Sequence, residues 1–91
     1  MNGKKSVNTL ESVGMGEYLV VSLGGGAGFI RRLADLGIYP GAPVSVVSSR
    51  KGGGPIILSV KGCRFAIGRG MASRIYVKRA QDSKNGTRKR K

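Results

Sequence analysis

The 91-residue chain carries 17 Lys and Arg against only four Asp and Glu, has a formal net charge of +13, and contains no His and one Cys. Its length limits it to one small domain, and the shortage of His, Cys and carboxylates argues against acid–base, nucleophilic and metal chemistry. We therefore predict that the protein is not an enzyme and has no catalytic residue, no metal ligand set and no cofactor.

The overall composition favours strands and a cytoplasmic location. The chain has 16 Gly, 5% aromatic residues and many Val and Ile, which is typical of short strands joined by tight turns. Residues 1–5 are followed by polar Ser6 and Asn8 rather than by an apolar signal segment. No run approaches the roughly 18 apolar residues of a membrane-spanning helix. We expect an all-β, cytoplasmic protein.

The amino-terminal part predicts an arm, a first strand and a glycine-rich connection. Residues 1–9 have the composition of a flexible arm, and Leu10, Val13 and Met15 supply the first apolar anchors. Residues 18–23 form a β-rich run of strand length. The glycines that follow precede a helix, as in phosphate-binding loops, but Arg31 stands where a dinucleotide fingerprint needs its last glycine. We therefore interpret this stretch as a flexible connector.

A short amphipathic helix with a marked end comes next. Ile30, Leu33 and Ala34 recur at helical spacing and predict one buried face. Gly37 is placed to end the helix in the left-handed conformation, which brings Leu33 and Ile38 together as the apolar pair of the cap. Residues 39–42, Tyr-Pro-Gly-Ala, then fit a type II turn. The sequence therefore predicts a helix, a stop and a tight turn immediately before the second strand.

The remaining chain predicts three more short strands after the second one. Val44, Val46 and Val47 mark the second strand, residues 51–55 an exposed hairpin loop, and residues 69–73 a single helical turn. The side chains predicted to face inward from the last three strands are Ile56, Leu58, Val60, Cys63, Phe65, Ile67, Ile75 and Val77. Cys63 is thus expected to be a buried, unreactive thiol. Residues 81–91 are polar and basic, which predicts a disordered tail.

These elements add up to a small all-β SH3-like barrel of about five strands with one short inserted helix, over residues 10–80. The stretch RLADLGIYPG at residues 32–41 resembles the signature of the ferrous-iron transport protein A (FeoA) family. The GGP, VKG and ASRIYV stretches at residues 53–55, 60–62 and 72–77 follow in the family's order. The resemblance covers about residues 10–79 and implies the same SH3-like barrel.

The resemblance also implies a function. It implies an accessory protein of bacterial ferrous-iron uptake that docks on the membrane permease ferrous-iron transport protein B, through its cytosolic GTP-binding domain. The family carries a general description of transition metal ion binding, yet we expect iron to be handled through the partner. The residues predicted to contribute to docking are Arg31, Arg32, Tyr39, Lys51, Gly52, Gly53 and Gly54.

The strong positive charge leaves other partners open. A small basic barrel that binds RNA or DNA is the alternative, although five aromatic residues provide few stacking platforms. A third hypothesis is that the protein is a detached relative of the SH3-like domains found at the carboxyl end of iron-dependent repressors. The basic tail also suits attraction to an anionic membrane surface at the inner face of the membrane. Self-association to a homo-oligomer through an unpaired edge strand is left open by the sequence.

Overall fold

The computed structural model describes residues 7–50 and 53–80. The elements are β1 (Asn8–Thr9), β2 (Gly16–Leu23), α1 (Ala27–Asp35), β3 (Pro43–Ser48), β4 (Ile56–Val60), β5 (Cys63–Ile67), α2 (Arg69–Ala72) and β6 (Ile75–Arg79). The predicted all-β class with one short inserted helix is confirmed, and α2 is the predicted single helical turn. A sixth strand appears because Asn8 and Thr9, expected to belong to the arm, pair with β6.

All six strands form one antiparallel sheet in the order β1-β6-β2-β3-β4-β5. Strands β2 to β5 follow each other as neighbours, and β6 returns to the free side of β2. The two-residue β1 then covers β6, with Asn8 opposite Val77. The two ends of the domain therefore lie side by side. The rest of the predicted arm, residues 1–6, and the predicted tail, residues 81–91, lie outside the described residues.

The core is built mainly from strand residues, and α1 contributes Leu33 to it. Its buried apolar residues are Leu10, Tyr18, Val20, Leu33, Ile38, Ala42, Val44, Val46, Ile56, Leu58, Val60, Ile67, Ala72, Ile75 and Val77. The predicted alternation is confirmed in β4, where Ile56, Leu58 and Val60 are buried, and in β6, where Ile75 and Val77 are buried. Strands of this kind bury one face and leave the other in contact with solvent.

Five of the expected core positions are wrong or only partly right. Cys63 is exposed and Phe65 is half-buried, because β5 is the last strand in the sheet order and, among the described residues, has β4 as its one neighbouring strand. Met15 is 68% exposed in the segment before β2. Ala34 is also exposed, because Leu33 is the buried residue of α1, and Ile30 beside it is half-buried. The helix therefore contributes one deep side chain to the core.

The predicted helix stop and tight turn are confirmed in detail. Gly37 has φ of 92°, and its N–H donates to the carbonyl of Ala34 at 2.9 Å. The N–H of Ile38 donates to the carbonyl of Leu33 at 2.9 Å, which completes the paired bonds of a left-handed helix cap. The turn that follows has Gly41 at φ of 94°, as a type II turn requires. Tyr39 is therefore held between two rigid features.

Candidate docking surface

Helix α1 presents two cations to solvent. Arg31 and Arg32 are exposed, whereas Leu33, the next residue, is buried against the sheet. Leu36, which caps the carboxyl end of the helix, remains 41% exposed. Arg32 and Leu36 are four residues apart, so they lie on the same side of the helix. An apolar side chain next to exposed arginines is a combination found at protein interfaces.

Tyr39 extends this surface beyond the end of the helix. Its side chain is 39% exposed, and its hydroxyl accepts a hydrogen bond from Nζ of Lys61 at 3.3 Å. The same ammonium group lies 5.5 Å from the centre of the Tyr39 ring. We call Arg31, Arg32, Leu36, Tyr39 and Lys61 the α1 face. Lys61 was missed at the sequence level, because a residue 22 positions away from Tyr39 gives no local signal of this contact.

The second part of the predicted docking set lies elsewhere. Gly53 and Gly54 belong to the loop between β3 and β4, and Lys51 and Gly52 lie outside the described residues. The loop is at the opposite end of the β3–β4 pair from Tyr39, because Tyr39 precedes β3 and the loop follows it. A six-residue strand spans roughly 17 Å between its first and last residues. The structure therefore does not bring Gly53 and Gly54 together with Arg31, Arg32 and Tyr39.

Arg69 instead determines the arrangement of that loop. Its Nε donates to the carbonyl of Gly54 at 3.1 Å, and its Nη1 donates to the carbonyl of Glu11 at 3.4 Å. Its Nη2 donates to the carbonyl of Arg50. Sequence reasoning missed this role, because each acceptor is a backbone group and carries no residue-type signal. The loop end is thus part of the scaffold, joined to the turn after β1.

Comparison with known proteins identifies the family of this chain. Residues 9–79 match the FeoA domain. The chain belongs to the FeoA family. A relative from Methanocaldococcus jannaschii, named "Putative Fe(2+) transport protein A", is 40% identical over 65 residues, which cover 71% of this chain and 77% of that protein. The resemblance inferred from residues 32–41 is therefore confirmed.

Solved structures agree with the fold of this FeoA-family protein. A crystal structure of an iron uptake regulatory protein (FeoA) is 42% identical, has a TM-score of 0.72, and matches 79% of this chain and 96% of that one. A crystal structure of ScaR with bound Zn2+ has a TM-score of 0.73 at 20% identity and matches 87% of this chain but only 40% of that one. At this identity the likeness to ScaR shows the fold alone.

The charges of the FeoA-family chain are unevenly placed. Residues 53–80 contain no Asp or Glu, so every charged side chain on β4, β5, α2 and β6 is a cation. Arg74 lies with its guanidinium 5.6 Å from the centre of the Phe29 ring, beside the start of α1. Glu17, one of the few acids, accepts a hydrogen bond from Ser45 Oγ at 2.7 Å on the β2–β3 pair. An acidic partner is the natural complement of such a surface.

The donor groups needed for a metal site do not converge in the part of the chain that the structure describes. Among residues 7–50 and 53–80, no three His, Cys, Asp or Glu side chains are close enough together to hold an ion. Within the same residues, no helix has the length and apolar character that crossing a membrane requires.

Proposed function

We propose that this protein is an accessory component of ferrous-iron uptake that docks on the membrane permease ferrous-iron transport protein B and modulates it. The observation that carries the proposal is membership of the FeoA family over residues 9–79. The relative named as an Fe(2+) transport protein A, 40% identical over 65 residues, supports the same assignment. In this proposal the protein works in the cytoplasm, at the inner face of the membrane, on the permease's cytosolic GTP-binding domain.

The α1 face is the proposed contact with the permease. Arg31 and Arg32 are exposed, and Leu36 and Tyr39 are 41% and 39% exposed. Arg and Tyr are among the residues that contribute most energy to protein interfaces. The helix cap at Gly37 and the turn at residues 39–42 hold this surface rigidly, so binding does not require the face to become ordered first. Rigid presentation favours docking as the mode of action.

The charge of the chain supports an acidic partner. The formal net charge of +13 would accelerate association with an acidic protein domain and would hold the protein near anionic lipid headgroups. The basic tail at residues 81–91 lies outside the described residues, and it contributes to this proposal only through its sequence. In this proposal the positive charge brings the protein to the permease and the membrane surface, and the α1 face makes the specific contact with the permease.

Binding of the purified cytosolic domain of the permease tests the proposal. Arg31→Glu and Tyr39→Ala should each weaken binding by about fivefold or more, because each removes one side chain from the centre of the proposed contact. Arg79→Glu is the matched control, since it reverses one exposed charge at the end of β6, a strand that contributes no residue to the α1 face. Undiminished binding by both α1-face variants, or an equal loss with Arg79→Glu, would remove this face from consideration.

A further inference from the structure

We propose that the open edge of β5 receives an extended strand from a partner in which acidic and apolar residues alternate. The incoming strand would add a seventh strand to the sheet, in antiparallel orientation. The surface involved is the outer edge of Cys63–Ile67, which we call the β5 edge. It shares no residue with the α1 face, so this proposal stands independently of docking on the permease.

The β5 edge has the features of a strand that can accept another. β5 is the last strand in the sheet order, and among the described residues it pairs with β4 alone. Its pairing with β4 continues over five residues without a shift, whereas the β2–β6 and β3–β4 pairs each contain one. The strand contains no Pro. Natural edge strands are commonly protected by bulges, prolines, charged side chains or covering segments. In β5 there is no register shift and no Pro, and Arg64 is its one charged side chain.

The geometry of the β4–β5 turn determines which backbone groups face outward. Val60 pairs with Cys63 across two residues, Lys61 and Gly62, whose φ values of 52° and 84° belong to a tight hairpin turn. The pair that closes such a turn is hydrogen-bonded, and hydrogen-bonded positions alternate along the strand. The N–H and C=O of Arg64 and Ala66 therefore point away from β4. These four groups suffice for two hydrogen-bonded residue pairs with an incoming antiparallel strand.

The side chains around the edge specify the chemistry of the occupant. Arg64 is exposed and pairs across the sheet with Ser59, and the chain from residue 53 to residue 80 contains no Asp or Glu that would neutralise it. Phe65 packs against the core yet remains only partly buried, and among the described residues its strand pairs with β4 alone. An incoming residue opposite Arg64 should be acidic, and its neighbour opposite Phe65 should be apolar.

A second copy of this chain is a poor occupant. In the antiparallel register that uses all four outward groups, Arg64 of one copy faces Ala66 of the other. The two Arg64 side chains then come within about 8 Å of each other on one face. No acid between residues 53 and 80 offsets this repulsion, and each copy carries a formal net charge of +13. Like charges of this kind oppose pairing, so an acidic strand is favoured.

A designed peptide tests the backbone pairing without altering the protein. The probe is a fluorescent seven-residue peptide in which Glu and Val alternate, titrated with the full chain. Methylation of every Glu nitrogen should abolish binding, because those N–H groups face β5 when Glu lies opposite Arg64. Methylation of every Val nitrogen should leave binding within about twofold, because those N–H groups point away. Equal affinities for the two methylated peptides would overturn the proposal.

Substitutions in β5 test the same backbone pairing by changing the protein instead of the peptide. Ala66→Pro removes an outward N–H without removing a bond to β4, and it should weaken peptide binding about fivefold or more. Arg64→Glu should weaken peptide binding by a similar factor. Arg31→Glu, the same charge reversal on α1, should weaken peptide binding by less than half that factor. The thermal midpoint of each variant shows whether it is folded. Binding of the permease domain should be unaffected by Ala66→Pro, which separates this proposal from the α1 face.

The oligomeric state of the chain without peptide tests whether a second copy occupies the β5 edge. Sedimentation velocity should show a monomer at the concentrations used for titration. A dimer that is converted to monomer by Ala66→Pro would mean that a second copy occupies the β5 edge, and it would overturn the acidic-strand proposal. Undiminished peptide binding by folded Ala66→Pro and Arg64→Glu would overturn it as well.

Discussion

Nε of Arg69 lies 3.1 Å from the carbonyl oxygen of Gly54 and donates a hydrogen bond to it. The same guanidinium also reaches the carbonyl oxygens of Glu11 and Arg50. A single side chain on α2 therefore joins the β3–β4 loop to the turn after β1. α2 directly follows the outer strand β5, and Glu11 lies in the turn after the outer strand β1, so Arg69 connects the segment after β5 to the segment after β1.

Arg69→Ala should lower the free energy of unfolding by about 1–3 kcal/mol, because hydrogen bonds from a charged donor are lost and three carbonyl groups lose their partner. Urea denaturation measures this loss. Arg69→Lys should recover only part of it, because an ammonium group lacks the planar set of donors that reaches three acceptors. Arg64→Ala, which removes an exposed cation from β5, is the control and should change stability by less than about 0.5 kcal/mol.

Gly37→Ala should destabilise the domain by about 1–2 kcal/mol or more. Gly37 has φ of 92°, and a Cβ placed on it would lie 3.0 Å from Cγ1 of Val60, so both the backbone and the packing oppose a side chain. Gly28→Ala is the matched control, because Gly28 lies in α1 with no atom within 4 Å of an added Cβ. It should stabilise the protein by about 0.4–1 kcal/mol. A thermal midpoint that falls in Gly37→Ala and rises in Gly28→Ala would confirm the cap.

Cys63 should react with an aromatic disulfide reagent in the folded protein nearly as fast as in urea, because its side chain is exposed on β5. Cys63→Ser should change the free energy of unfolding by less than about 0.5 kcal/mol, as expected for a surface position. The rate of thiol release, followed by absorbance, provides the measurement. Protection by a factor of about 100 in the folded state would show that the thiol is buried after all.

The isolated protein should retain far less than one equivalent of Fe(II) or Zn(II) in anaerobic equilibrium dialysis. The chain has no His, one Cys and four acids, and tight sites for these metals need several imidazole, thiolate or carboxylate ligands together. Cys63→Ala is the informative variant, because the thiol is the softest ligand available. One equivalent retained at micromolar metal, and lost in Cys63→Ala, contradicts the prediction.

Deletion of residues 84–91 should slow association with the permease domain and reduce its salt dependence, because five positive charges are removed. The thermal midpoint should stay unchanged, since the barrel is complete by residue 79. Stopped-flow mixing at low and near-physiological salt measures the effect. An unchanged association rate at low salt would show that the tail plays no part in recruitment.

Labelled oligonucleotides separate this function from nucleic-acid binding. We expect no submicromolar affinity for single- or double-stranded oligonucleotides at about 0.15 M salt, where the Debye length is only about 8 Å. Low salt should allow weak binding that falls steeply as salt rises, because it depends on counterion release. Tight binding that persists at 0.15 M, together with no affinity for the permease domain, would favour the nucleic-acid reading.

Local features of the fold were predictable because each depends on a few adjacent residues. The cap at Gly37, the turn at residues 39–42 and the alternation in β4 and β6 follow from backbone preferences and from the two faces of a strand. These signals are complete within about ten residues. The family resemblance rests on one of the same stretches, residues 32–41, so fold and family were accessible together.

Features that depend on sheet order were not predictable in the same way. The alternation in β5 correctly indicates a strand, but the exposure of Cys63 follows from the position of β5 at the sheet edge. The β3–β4 loop and Tyr39 both look polar and mobile in the sequence, yet a whole strand separates them. Arg69 binds backbone carbonyls contributed by three distant segments. Such relationships exist only once the strands are placed.

The pairing of Asn8 with Val77 joins positions near opposite ends of the domain, and such a contact must close a long loop before it contributes any stability. We expect β1 to add to the sheet late in folding, after β2–β5 have formed. A circular permutant that connects residue 80 to residue 7 by a short linker, and opens at residues 51–52, would convert this pairing into a local hairpin. The same barrel would then fold along a different order of events, with its two outermost strands formed early.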